Sequence, residues 1–581
     1  TLTADGTSAV NFGAQFKQAA DSLAYNNVNG FVNTIEFFYD GTNYWYRILN
    51  DAGTNIAYKD DVLTLTNETA FTPTTNYHPT TKKYTDEKII EQLANYYPGA
   101  PSGSDMELGY YGVQWNENYP NSGMLRTGTL AGYAGGGYYN EFAYPISTRP
   151  NSNVPDQFLF IHNRIKRCMV LDNETVNYYL DANNSFNKQG ELPSITDTTT
   201  GAANNKLICT GKFTDVASAY VGKFAHNTTS GKTNRYALIT AKDSNDQLTI
   251  DCGDNSTGDF FASGDTFEIC TAVFDGSDGQ VMVEIPKFFT KYSYNSGVHK
   301  LEISLYPYSG FTVHPAFVEN AATKDYIYVG AFEAHIDSND KLASLPYQSV
   351  ANSQTRATFR QKAANRTGWM QESFWYRSAV QTLFFIEFAD FNSQTRLPGY
   401  TERSGYNSSY HRKSGRTMQA GNNNSIVNAD DVYDSDIYND GNWEENTVVS
   451  NSYRGVENFY GNYWKWLDGF NAYDRNVYVT NNRSAFADDT SIGYDNLTLL
   501  LPSSQFIKEV HQVAGAFLPK TSGGGASSST YITDYVYSNT GWRVSLSGGR
   551  LYHGANAGVA CLNAYNDSDN TASHIGARLC L

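Results

Sequence analysis

Glu457-Asn458-Phe459-Tyr460-Gly461-Asn462-Tyr463-Trp464-Lys465-Trp466-Leu467-Asp468-Gly469 crowds aromatic side chains between two glycines. Trp464 and Trp466 stand at i and i+2. In a strand they share one face and can stack across a core while Lys465 points away. Gly461 and Gly469 are placed to supply turns at the two ends. On its own, the stretch reads as a buried aromatic strand.

Toward the C terminus a second pattern appears. Gly541-Trp542-Arg543-Val544, Gly548-Gly549-Arg550, Gly554, Ala557-Gly558 and Ile575-Gly576-Ala577-Arg578-Leu579 form a frame of turn and core residues. Within it lie Leu551, Tyr552, His553, Asn556, Cys561, Asn563, Tyr565, Asn566, Asp567, Ser568, Asp569, Asn570, Ser573 and His574. Tyr, Asn and Ser are residue types that binding loops use for contact area and adaptable hydrogen bonds. These fourteen positions are the expected binding surface. Trp464 and Trp466 are expected as core pillars, and Trp542 as a support of the last sheet.

At 581 residues the chain exceeds one compact core, so two to four domains are expected. With 44 Tyr, 48 Gly and only 17 % charged residues, it reads as a β-rich extracellular or virion protein with many turns. A net charge of −17 argues against nucleic-acid binding and polybasic membrane attachment. No apolar run is long enough to span a membrane. A start at Thr1 without a signal sequence suggests a processed or trimmed chain. The six cysteines make no zinc-ligand spacing. Cys252 with Cys270, or Cys561 with Cys580, could pair, but buried free thiols are the commoner state.

Along the chain, residues 1–75 read as a β-rich N-terminal attachment region. Asp40-Gly41 between aromatic runs signals a hairpin. Residues 76–104 form a linker with a short helix, and its His78–Ile89 wording resembles a connector common in phage tail and fibre proteins. Residues 105–190 read as short strands with Gly-rich turns, and 191–270 as an inserted small all-β domain. In the remaining 271–581, Gln280–Pro286 alternates as a half-buried strand stopped by Pro286. Helices are expected over 357–365 and 370–389. Residues 395–450 read as a long polar loop region, whose Asp430, Asp431, Asp434, Asp436, Asp440, Glu444 and Glu445 could hold calcium. The spacing is not that of an EF-hand, and a solvated acidic loop is the commoner reading. No P-loop or nucleophile elbow is present.

Together, the Trp464-Lys465-Trp466 stretch and the Gly-Gly-Arg and Ile-Gly-Ala-Arg-Leu frame resemble the C-type-lectin-like fold of formylglycine-generating enzymes and of diversity-generating-retroelement variable proteins. Phage receptor-binding proteins of the major tropism determinant type look most similar. The resemblance covers roughly residues 270–581, and 105–190 more weakly. It implies an α+β class: a C-type-lectin-like domain, interrupted by the β insert and preceded by the N-terminal β-rich fibre region. It also implies a homotrimer in the virion, at a tail fibre or tail tip, contacting other tail proteins. Function would be adsorption to a host cell-surface receptor, protein or glycan. The formylglycine-generating enzymes need a closely spaced cysteine pair, whereas Cys561 and Cys580 are far apart, so no enzyme activity and no cofactor are expected.

Adenine-templated substitution of Asn-type codons, which diversifies such variable proteins, cannot produce Lys, Glu, Gln, Met or Trp. None of these occurs between Val544 and Leu581, though the chain is poor in charged residues anyway. Two rivals stand beside this reading: a bacterial or prophage retroelement-diversified surface-display protein, and a structural virion decoration protein.

Overall fold

The computed structural model describes residues 109–118, 123–133, 154, 156–193, 195–252, 260–401, 411–428, 449–513 and 515–581, together with the backbone of six strands upstream. The chain divides into two compact units, Thr1–Pro98 with Ser102–Asp105, and Gly99–Pro101 with Met106–Leu581. In the first, Val32–Tyr39 and Tyr44–Leu49 pair antiparallel, so a hairpin forms around Asp40-Gly41, but with Tyr39 opposite Tyr44 its connection is four residues long, not the two of a tight Asp-Gly turn. The 78–89 connector and the acidic residues from Asp430 to Glu445 lie outside the described residues.

The second unit is built chiefly of sheets. Tyr110–Asn116 and Leu125–Gly128 join Phe289–Asn295, Val298–Ser304 and Thr312–Val313 in a five-stranded sheet. A six-stranded sheet runs Val176–Tyr179, Lys166–Val170, Gln280–Pro286, Tyr326–Gly330, Leu579–Cys580, Met370–Gln371. Distant segments thus share each sheet, and the chain's last residues take an inner place in one of them. Gln280–Pro286 is buried along its whole length, not on one face, because strands flank it on both sides and elements cover both surfaces.

Between these segments, six antiparallel strands from Ile195–Thr198 to Thr266–Ile269 form a sheet whose end strands approach through a Gly201–Ile208 bridge. Leu207, Phe213, Tyr220, Ile239, Leu248 and Phe267 give it a core of its own.

Among the described residues there are three α-helices, Arg356–Ala364, Phe374–Phe388 and Ser393–Arg396. The side chains of Thr355 and Ser373 cap the first two by accepting from Thr358 N and Tyr376 N. All fifteen residues of Phe374–Phe388 are buried, so the helix is enclosed on every side. Arg126 caps its end, donating to Ile386 O at 2.9 Å and Glu387 O at 2.8 Å.

The expected α+β, C-type-lectin-like class is therefore corrected: the protein is predominantly β, with three α-helices among the described residues. The physical reason lies in the rest of the chain, where aromatic and β-branched residues alternate between Gly, Asn and Asp turns. The signature residues specify one strand and a few turns, not the proportion of helix around them. All six cysteines are buried, and no disulfide joins any of them.

Candidate functional site

Trp464–Tyr473 is an inner strand of the C-terminal nine-stranded sheet. It pairs antiparallel with Trp542–Ser547 and Asn476–Val479, and parallel with Ile575–Gly576. Trp464 and Trp466 are buried as pillars. Lys465 does not reach solvent as its alternation suggested. It is fully buried, 2.8 Å from the Glu333 carboxylate, and its ammonium donates to Gly461 O at 2.6 Å. Desolvation, opposed by Glu333, lowers its pKa to about 8.

Gly469 is likewise not a terminal turn. It sits at φ +71° where the register with Trp542–Ser547 slips between Leu467 and Asn471, and a Cβ there would lie 2.5 Å from Thr480 O. The carbonyls at that bulge are taken up by Arg356, which donates to Leu467 O at 3.1 Å and Phe470 O at 2.6 Å.

The frame interlocks with this strand. Arg578, wholly buried, donates to Gly330 O at 2.7 Å and Glu457 O at 2.6 Å, joining the two sequence signatures directly. Gly549, at φ +80°, lies so close to Ala557 that a Cβ would come within 2.4 Å of it. Helical residues hold the loop from beneath. Gln381 donates to Val559 O at 2.6 Å, and Gln394 donates to Gly554 O at 2.9 Å and Ala557 O at 2.7 Å. The Asp534 carboxylate accepts from Ala560 N at 2.7 Å, and burial pushes its pKa up to about 7. No spacing in the sequence pointed to Gln381, Gln394, Asp534 or Arg356, because each lies far along the chain from the loop or bulge it supports.

The fourteen expected contact residues separate by depth. Tyr565, Asp567 and Asp569 are exposed, and Tyr552, His553, Asn556, Asn566, Ser568, Asn570, Ser573 and His574 are half-buried. Leu551, Cys561 and Asn563 are buried and belong to the support beneath. Asn563 accepts from Tyr565 N at 2.8 Å, fixing the turn that presents that tyrosine. The Asp567 carboxylate pairs with Arg543, and Ser568 donates to Asp489 at 2.5 Å. Tyr552 lies under the Arg550 guanidinium, 4.0 Å from ring centroid to carbon.

His553 packs edge-on to Trp464 and stacks with Tyr537. Burial and then Arg550 lower its pKa to about 3, and the same causes lower that of His574 to about 4. Both rings are therefore neutral near pH 7. The arrangement offers aromatic edges, amides, hydroxyls and carboxylates on a braced loop. Such a surface can form hydrogen bonds and apolar contacts with a partner at low ordering cost.

Fold and site together define a predominantly β protein whose buried C-terminal frame carries an exposed polar and aromatic loop. No protein-family model matches the chain, and no curated protein matches it. Among solved structures, it is similar to the Major Tropism Determinant U1 Variant at 12 % identity, over 66 % of this chain and 82 % of that one, with a TM-score of 0.22. The Major Tropism Determinant I1 Variant is similar at 12 % identity, over 70 % and 92 % of the two chains, with a TM-score of 0.22.

Proposed function

We propose that this chain is a phage virion protein of a tail fibre or tail tip that adsorbs to the host cell surface through its C-terminal loop. The observation that carries this reading is the division by depth within one short segment. Ile575 to Leu579 and Leu551 are buried to about the limit, while Tyr565 is 51 % exposed between them in sequence. A segment that spends its glycines and its arginine on bracing, and its Tyr, Asn, Asp and Ser on solvent, is organised for contact.

The mechanism is binding, not catalysis. Tyr552 and Tyr565 supply amphipathic area, and Asn566, Asp567, Asp569 and Asn570 supply hydrogen bonds to a receptor, protein or glycan. Assembly as a homotrimer with other tail proteins would multiply a weak single-site affinity. The lack of Lys, Glu, Gln, Met and Trp after Val544 supports retroelement diversification of the solvent-facing positions. The test is adsorption of particles carrying Tyr552→Ala and Tyr565→Ala, with folding checked by melting. Lost adsorption at unchanged melting is expected, and undiminished adsorption would overturn the reading.

A further inference from the structure

Away from the C-terminal loop, three side chains from distant segments converge where the five-stranded and nine-stranded sheets meet. Glu117 follows Tyr110–Asn116, and its backbone N donates to Gly297 O at 2.9 Å. His299 lies on Val298–Ser304, opposite Trp115, and His511 on Gln505–Val513. Their ligand atoms all lie within 4.8 Å of one another.

One carboxylate oxygen, Glu117 Oε2, is 3.0 Å from His299 Nε2 and 3.3 Å from His511 Nε2. A tetrahedral ion with ligands at about 2.0–2.2 Å has ligand-to-ligand edges of roughly 3.3–3.6 Å. The observed separations are close to such edges.

The ring orientations are fixed from behind. His299 is inaccessible to solvent and stacks on Trp115 with centroids 4.7 Å apart and planes 2° from parallel. Its Nδ1 is 2.7 Å from the Tyr292 hydroxyl, the kind of outer hydrogen bond that orients a ligating imidazole. The Tyr294 hydroxyl donates to the other Glu117 oxygen at 2.5 Å.

His511 supplies the second argument. Its Nε2 is 2.9 Å from the Lys520 ammonium as well as 3.3 Å from Glu117 Oε2. If Nε2 carries a proton, it faces the ammonium hydrogens. If it carries none, its lone pair faces a carboxylate oxygen. Neither tautomer satisfies both neighbours, whereas a cation on which both imidazole lone pairs and the carboxylate converge satisfies all three ligands.

We propose that Glu117, His299 and His511 bind a divalent transition-metal ion of the zinc type through one carboxylate oxygen and two imidazole Nε2 atoms, with water completing the tetrahedron. Imidazole and carboxylate donors suit zinc among the divalent ions. Lys520, exposed at the rim, is the resident cation that the metal displaces. The bound ion would clip the Gln505–Val513 strand to the five-stranded sheet, so binding is expected to raise stability as well as leave a stoichiometric signal. Sequence spacing gave no sign of the site, because its ligands are spread over almost four hundred positions.

The test uses the full chain, stripped with chelator and titrated with Zn²⁺ by calorimetry, with Co²⁺ as a spectroscopic substitute. One Zn²⁺ per chain, a higher melting midpoint and tetrahedral Co²⁺ absorption are expected. His511→Gln and Glu117→Gln, at partly accessible positions, are expected to weaken Zn²⁺ by at least about tenfold. Lys520→Met keeps the apolar stem, removes the competing charge and is expected to tighten it. No stoichiometric binding to the wild-type chain, or binding that survives both ligand substitutions, overturns the proposal. So does weaker binding in Lys520→Met.

Discussion

The Lys465 ammonium and the Glu333 carboxylate meet at 2.8 Å with both side chains sealed from solvent. Asn462 donates to the same carboxylate at 2.5 Å, so the pair anchors the turn before the Trp strand. Breaking such a buried pair on one side leaves a charge without compensation. Glu333→Ala is therefore expected to destabilise the protein by about 3–5 kcal/mol in denaturant unfolding. Changing both partners, Glu333→Gln with Lys465→Met, is expected to cost much less than the sum of the single changes. An additive double-mutant cycle would show that the two charges do not support one another.

Arg356 fills a different need. The bulge at Gly469 turns Leu467 O and Phe470 O away from the strand ladder, and the guanidinium takes both up while pairing with Asp488 at 2.5 Å. Arg356→Met keeps the stem but orphans buried carbonyls and leaves Asp488 with Arg360 alone, with an expected cost of about 3 kcal/mol. Gly469→Ala forces a Cβ onto Thr480 O at a positive φ and is expected to lower the melting midpoint as well. Unchanged unfolding in both variants would remove the bulge from the account of the strand.

What the sequence made legible was local. Period-two spacing placed Trp464 and Trp466 in a core strand, and helical spacing marked the stretches that become Arg356–Ala364 and Phe374–Phe388. The fate of Lys465 was hidden because its neighbour Glu333 is more than a hundred residues away, and alternation alone assigns a face to solvent without knowing what covers it. The overall class was misread for a related reason. Motifs of a dozen residues report the turns they build, whereas the balance of strand and helix is set by several hundred other residues. In the loop, Leu551 and Cys561 shared the composition of their exposed neighbours but not their depth, and Cys561 packs into the core cluster of Trp464 and Trp466.

That difference in depth separates two kinds of variant. Tyr565→Ala and Asp569→Ala remove side chains that stand in solvent and are expected to leave stability within about 0.5 kcal/mol of the parent. Leu551→Ala opens a cavity under the loop and is expected to cost about 2–5 kcal/mol. Adsorption measured beside unfolding distinguishes them: the first pair should lose binding without losing stability. If Leu551→Ala alone impaired adsorption, contact would lie elsewhere than the loop surface.

Acid is expected to loosen the same loop through its histidines. His553 and His574 have folded pKa values lowered to about 3 and about 4, against an unfolded value near 6.5. Their stabilising contribution is therefore present above pH 6.5 and is lost as pH falls toward those values, because the unfolded chain takes up protons first. The slope is at most about 1.4 kcal/mol per pH unit for each ring. Asp534 acts with the opposite sign. Its folded pKa, raised from 3.8 to about 7, gives a contribution that is complete below pH 3.8 and lost as pH rises through 7. Subtracting each variant from the parent at every pH separates the two. In His553→Phe the acid-side loss between pH 6.5 and 4 should shrink, and in Asp534→Asn the decline between pH 4 and 7 should shrink. A His553→Phe curve parallel to that of the parent across pH 4–6.5 would mean that this ring is already solvated in the folded loop.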